Sequence, residues 1–151
     1  MGIKAATPQF HTVVNQQVEH MPGLILPVLY LNTKDGIKKM DTLVEYGITN
    51  ADKSSSWHRT RARALGLFFD YCQAVDNKVI FQGANPHRTI FKRFSRALLM
   101  GTIDVETGLD PSKLYWPPNS TTIAKRVCSA ITEFVHYLYH EEITDGAFLK
   151  I

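Results

Sequence analysis

The chain has few of the residues that mark disulfide-bonded, zinc-binding or membrane-spanning proteins. Only two of its 151 residues are cysteines, Cys72 and Cys128, and no other Cys or His lies near either at ligand spacing. No uncharged stretch is longer than that of residues 20–33, which is too short to cross a bilayer and contains two prolines. The first residues contain no apolar signal core. We therefore expect a cytoplasmic protein with no metal and no membrane partner.

Sequence signatures of catalysis are missing as well. There is no glycine-rich phosphate loop and no Gly-x-Ser-x-Gly elbow. His136 and His140 are four residues apart, as zinc ligands can be, but Tyr137 stands where the zinc proteases have Glu. Cys72 lies on the apolar stripe of its predicted helix, which indicates a core residue rather than a nucleophile. We expect no catalytic residue and no cofactor in this chain.

Acidic residues are scarce in the middle of the chain. The formal net charge is only +3, yet residues 53–96 carry nine Lys or Arg and two Asp, a local balance of +7. The basic residues of this block are Lys53, Arg59, Arg61, Arg63, Lys78, Arg88, Lys92, Arg93 and Arg96. A block with this balance favours a polyanionic partner.

Apolar residues recur at helical spacing in four segments of the chain. They predict helices near 37–46, 56–74, 86–100 and 121–139, and hence a mainly α protein built around one core. Ser54 and Ser120 are expected N-caps, and Gly101 is expected to end the third helix. The predicted core contains Leu65, Phe68, Phe69, Phe91, Phe94, Val127, Ile131 and Phe134.

Two segments lack this periodicity. Residues 24–31 form a short apolar run that is broken by Pro27 and followed by a turn signal, a pattern typical of an edge strand or an apolar arm. Residues 102–119 contain three prolines and predict a long loop, with Tyr115 and Trp116 anchoring it to the core. We thus expect an extended N-terminal arm over 1–36, a helical domain over 37–140 and a tail over 141–151.

The third predicted helix separates its basic residues from its apolar ones. At 100° per residue, Arg88, Lys92 and Arg96 fall within about 80° of one another, and Arg93 lies slightly beyond them. No acidic residue accompanies them on that helix. A merely solvated face is the alternative interpretation. We interpret the face as a phosphate-binding surface because nothing on the helix neutralises it.

Basic residues of the second and fourth helices extend this hypothesis. Arg59 and Arg63 share the outer face of the second helix with Asp70. Arg61 projects toward the apolar side, where it must reach the surface, pair, or contact something outside the domain. The complete set of predicted DNA-binding residues is Arg59, Arg61, Arg63, Arg88, Lys92, Arg93, Arg96, Lys125 and Arg126.

The segment Trp57–Cys72, with the sequence WHRTRARALGLFFDYC, resembles the second helix of the core-binding domain of tyrosine recombinases, the phage-integrase family. The later segments Phe91–Phe94, Gly101–Thr102 and Leu114–Pro118 are similar to a subgroup of integrases from bacterial mobile elements. The likeness covers roughly residues 24–140.

The resemblance implies a four-helix, SAM-like bundle that clamps duplex DNA at a recombination site during DNA integration. In that family the catalytic residues, including the nucleophilic tyrosine, lie in a second domain, so the resemblance assigns no catalytic residue here. It implies instead that this chain is the DNA-binding part of a longer recombinase, or a standalone relative, in the bacterial cytoplasm and on the nucleoid when bound. It also implies self-association on DNA in the full-length protein.

Two other classes of protein remain open. A standalone DNA-binding regulator of the helix-turn-helix type would also be small, helical and basic, but its key helices are joined by a turn of three or four residues. Here about a dozen residues or more separate the well-defined helices. A helical interaction domain whose basic face binds an acidic protein is the second alternative, and the salt dependence of DNA binding distinguishes it.

Overall fold

The computed structural model describes residues 10–75 and 86–141. In these ranges the elements are β1 (His11–Gln17), β2 (Ile25–Thr33), β3 (Gly36–Lys39), α1 (Asp41–Thr49), α2 (Ser55–Ala74), α3 (Pro86–Met100) and α4 (Thr121–His140). Helical residues outnumber strand residues, as predicted, but a small antiparallel sheet stands beside the four helices. The architecture of the described residues is therefore mixed α/β.

The sheet replaces the edge strand or apolar arm that the sequence predicts. Its strand order is β1-β2-β3, so β2 lies in the middle. Thr12 faces Tyr30 across the β1–β2 ladder, and Tyr30 faces Lys39 across the β2–β3 ladder. Pro27 lies opposite Asn15 of β1 in a part of β2 that β3 does not reach, since β3 pairs only with residues 30–33, so the missing N–H interrupts no bond to β3. The segment is extended, but it is part of the folded domain.

The first helix begins later than predicted. The sequence predicts it over 37–46, whereas α1 begins at Asp41 and ends at Thr49. Residues 36–39 pair with β2 instead, and the Met40 N–H then donates to the Leu29 carbonyl at 2.9 Å. All of β3 is exposed, so no burial pattern in the sequence marks it as a strand.

The three longer helices confirm their predicted bounds to within a residue. The Ser54 hydroxyl accepts from the Trp57 N–H at 3.1 Å, and the Ser120 hydroxyl accepts from the Ile123 N–H at 3.2 Å. Gly101 has φ +78°, a conformation that favours glycine, and its N–H donates to the Ala97 carbonyl at 2.8 Å. Ser54 and Ser120 thus begin their helices, and Gly101 ends α3, where the sequence predicts.

The core surrounds α2, which contacts β1, β2, α3 and α4. Residues 64–72 of this helix are all buried. The predicted core residues are buried too, except Phe91, which is only half-buried. Burial raises the pKa of the Cys72 thiol to about 12, so the thiol is protonated at neutral pH. This placement confirms Cys72 as a core residue.

A buried polar pair fastens β1 to α2. Asp70 lies in the most apolar part of α2, where its carboxylate accepts from the Phe10 N–H at 3.0 Å and lies 2.9 Å from Nδ1 of His11. Both side chains are almost fully buried. Gly66, one helical turn earlier, makes room for the imidazole, because a Cβ at this position would overlap the His11 ring. The sheet is thus attached to α2 by a specific polar contact as well as by apolar packing.

The long loop between α3 and α4 is anchored by one of its two predicted aromatic residues. Trp116 is buried, its N–H donates to Oγ1 of Thr102, and its carbonyl accepts from the Thr102 N–H, both at 2.9 Å. Tyr115 is exposed, so the prediction that it anchors the loop is wrong. Asp110 orients this residue instead, because its carboxylate accepts from the Tyr115 N–H at 2.8 Å.

Candidate nucleic-acid interface

The outer face of α3 is basic, as its sequence predicts. Ile90, Phe94 and Leu98 recur every four residues and are fully buried. Lys92, Arg93 and Arg96 are exposed. Arg88 belongs to the same helix, but its side chain lies outside the described part of the structure. The buried stripe fixes the rotation of α3 about its axis and therefore which of its basic side chains face solvent.

A contact between α3 and α4 brings three of the predicted residues to one surface. The Ser95 hydroxyl lies 3.1 Å from the Cys128 sulfur. Lys92 lies about 60° around α3 from Ser95, and Arg96 about 100°. Lys125 lies about 60° around α4 from Cys128. All three exposed cations are displaced from the contact toward solvent, and we call Lys92, Arg96 and Lys125 the basic face.

The charge of the basic face is not balanced by nearby sequence. Residues 77–103 and 111–132 contain no Asp or Glu. Acidic residues lie instead in the loop after α3, at Asp104, Glu106 and Asp110, and where α1 meets the end of α4. Burial raises the pKa of Tyr137 there, and the negative charges of Glu45 and Glu141 raise it further. The segments that carry the basic face thus contain no acidic residue up to position 132, while the loop that joins them contains three.

Arg93 and Arg126 lie further around their helices from the α3–α4 contact than the three residues of the basic face. Each lies about 160° around its helix from the contact residue, Ser95 or Cys128. Arg93 acts on α2 instead: burial raises the pKa of Tyr71, and the positive charge of Arg93 partly offsets this rise. Both side chains are exposed, but the α3–α4 contact does not unite them with the other three.

Arg59 and Arg63 lie on a different side of the molecule from α3. They are exposed on α2, about 180° and 140° around the helix from Phe68. Phe68 and Tyr71 pack against α3, with their ring centroids 5.0 Å and 5.9 Å from that of Phe94. Among the described side chains, the exposed basic residues of these two helices are thus divided between two surfaces, with Arg59 and Arg63 on α2 and the others on α3. Lys78 lies outside the described residues.

Arg61 contacts two side chains of its own domain. Its guanidinium forms an ion pair with Glu133 of α4, and its Cζ lies 3.9 Å from the centroid of the Trp57 ring. Only 13% of its side chain is exposed. The prediction that Arg61 projects toward the apolar side is confirmed. Of the three possibilities, reaching the surface, pairing within the domain or contacting something outside it, the structure shows pairing within the domain. We leave Arg61 out of the candidate interface for this reason.

Three exposed apolar residues beside the basic face were missed by the sequence analysis. Leu99 and Met100, in the last turn of α3, are 42% and 67% exposed, and Tyr115 is 42% exposed. A signal for two of them exists in the sequence Leu98-Leu99-Met100, because only Leu98 lies on the core stripe of α3. Tyr115 carries no such signal, since its exposure depends on the conformation of the loop.

Comparison of the chain with protein-family models, curated proteins and solved structures finds no match. Among the helices within residues 10–75 and 86–141, none has both the length and the apolar character needed to cross a membrane. The same ranges contain no cluster of three or more His, Cys, Asp or Glu side chains arranged to hold a metal ion. The function must therefore be argued from the chemistry of the basic face itself.

Proposed function

We propose that this chain binds duplex DNA through the basic face, as the DNA-binding part of a site-specific recombinase of the integrase type. The observation that carries the DNA-binding proposal is the placement of three exposed cations at one helix–helix contact without acidic neighbours in either segment. The recombinase context depends on the resemblance of residues 57–72, 91–102 and 114–118. Residues 10–75 and 86–141 contain four helices, the number in the SAM-like bundle of that family.

The arrangement of the cations suits a phosphate backbone. Lys92 and Arg96 are four residues apart, so their Cα atoms are separated by about 6 Å along the axis of α3. Lys125 comes from a second helix and adds a contact beside that line. Because α3 and α4 pack into one core and Asn119 donates to the Leu98 carbonyl, the backbone positions that carry the three charges are set by the fold. Contacts of this kind supply affinity and orientation rather than base specificity.

Removing the basic face should weaken DNA binding and reduce its salt dependence. We expect the triple variant Lys92→Ala, Arg96→Ala, Lys125→Ala to bind any duplex more weakly and to flatten the slope of log K against log salt by about three units, one for each lost phosphate contact. Fluorescence anisotropy with a labelled duplex over a salt series measures both quantities.

A matched control removes the same charge elsewhere. Lys34, Lys38 and Lys39 are exposed on the sheet and its turn, so their replacement by Ala subtracts three charges without touching α3 or α4. We expect this control to retain most of the wild-type slope. Equal slopes for the two triple variants would show that only net charge matters. Binding to an acidic polypeptide with no salt-dependent binding to DNA would favour the protein-interaction alternative.

A further inference from the structure

The last turn of α3 places exposed apolar side chains on the line of its basic residues. Leu99 and Met100 lie about 60° and 40° around the helix from Arg96, one on either side of it and about one turn further along. The Asn119 N–H donates to the Leu98 carbonyl at 3.0 Å, which fixes the start of α4 beside this turn. Lys125, three residues before Cys128, is therefore displaced from the Ser95–Cys128 contact toward the last turn of α3.

Tyr115 is held close to this turn in an unusual backbone conformation. Its φ is +53°, in the left-handed region that is uncommon for residues other than glycine. The Asp110 carboxylate fixes it by accepting from its N–H. Trp116, the next residue, reaches the end of α3, since a Cβ on Gly101 would lie only 2.8 Å from the Trp116 carbonyl oxygen. The fold thus maintains a costly backbone conformation where an aromatic side chain is exposed.

We propose that Leu99, Met100 and Tyr115, which we call the apolar edge, pack against sugars and bases of the DNA whose phosphates the basic face binds. This inference rests on the proposed function and adds a second type of contact to it. Apolar side chains contact the methyl groups of thymine and can wedge between base steps, and aromatic rings stack on bases. Such contacts release no counterions, so they contribute affinity that salt does not screen.

The neighbouring charges favour DNA over the other possible occupants. A second copy of this chain would bring two basic faces together, and like charges across an interface are unfavourable. Three side chains are also far fewer than the 20–30 residues per partner of a standard protein interface. A membrane requires an apolar helix face that is free to insert, whereas the apolar face of α3 is already buried in the core.

The apolar edge is tested by a triple variant that removes no charge. We expect Leu99→Gln, Met100→Gln, Tyr115→Gln to lower affinity for duplex DNA by about tenfold at every salt concentration. The salt slope should stay at its wild-type value. The matched control is Met21→Gln, Ile25→Gln, Ile37→Gln, which replaces three exposed apolar side chains of the sheet and its β1–β2 connection and should leave both affinity and slope unchanged.

Several outcomes would overturn this inference while leaving the proposed function intact. Unchanged affinity, or an affinity loss accompanied by a flattened slope, would show that the apolar edge adds no salt-independent contact. Sedimentation experiments without DNA compare the wild type with the variant. If the wild type self-associated and the variant did not, the apolar edge would be assigned to contact with a second copy of the chain. Edge-dependent binding to vesicles of anionic lipid would assign it to a membrane. A wild-type protein without a salt-dependent affinity for DNA would instead contradict the proposed function itself.

Discussion

Replacement of Phe94 by Ala should lower the free energy of unfolding by about 3–5 kcal/mol. Phe94 is fully buried, and its ring lies edge-on to Phe68 of α2 at 5.0 Å and to Trp116 of the long loop at 6.0 Å between centroids. The side chain thus joins α3 to two other parts of the chain. We expect a large effect because a cavity between three elements cannot collapse without moving all of them. Urea unfolding followed by circular dichroism measures it.

A control for this substitution lies on the same helix. Leu99 is exposed, so Leu99→Ala should change the free energy of unfolding by no more than about 0.5 kcal/mol. A loss of less than about 1 kcal/mol for Phe94→Ala would be incompatible with full burial of the ring at the meeting point of α2, α3 and the loop.

The second large effect is expected at Asp70. Asp70→Ala should destabilise the fold by about 3–5 kcal/mol, the range found when one partner of a buried polar or ionic pair is removed. The substitution leaves the Phe10 N–H and the His11 imidazole without the carboxylate that both contact. Because this carboxylate attaches β1 to α2, amide hydrogen exchange should increase most in β1 and β2.

A double-mutant cycle separates the pair from its surroundings. We expect His11→Ala, Asp70→Ala to cost less than the sum of the two single changes, because the second change removes a group that the first has left unpaired. Asp52→Ala, at an exposed position on the surface, serves as the control for loss of one negative charge. Strictly additive losses at residues 11 and 70 would show that the two side chains do not stabilise each other.

The helical part of the fold could be predicted because its signals are local. Ser54, Ser120 and Gly101 act as caps at the predicted positions, and Phe94 and Phe134 lie on apolar stripes that a period of 3.6 residues identifies. The sheet could not be predicted in the same way. Its pairing joins distant residues, and β3 is exposed along its whole length, so no periodicity distinguishes it from the start of α1.

The candidate site was only partly predictable, for a related reason. The exposed side of α3 follows from its own stripe, so Lys92 and Arg96 could be placed from the sequence. Which side of α2 faces α3 depends on how Phe68 packs, and this contact separates Arg59 and Arg63 from the basic face. The placement of Asp70 on the outer face of α2 beside Arg59 and Arg63 is wrong, because this residue is buried. Its partner, His11, is distant in the sequence, so only the three-dimensional fold identifies it.

Chemical-shift mapping of the amide resonances during titration with duplex DNA at low salt locates the DNA-binding surface residue by residue. The proposed interface predicts that the largest shifts occur in residues 92–100 of α3 and in residues 121–132 of α4, with small shifts in β3 and α1. Raising the salt concentration should reverse these shifts. Largest shifts in the sheet, in α1 or around Arg59 and Arg63, or no shifts at any DNA concentration, would contradict the assignment of the basic face as the DNA-binding surface.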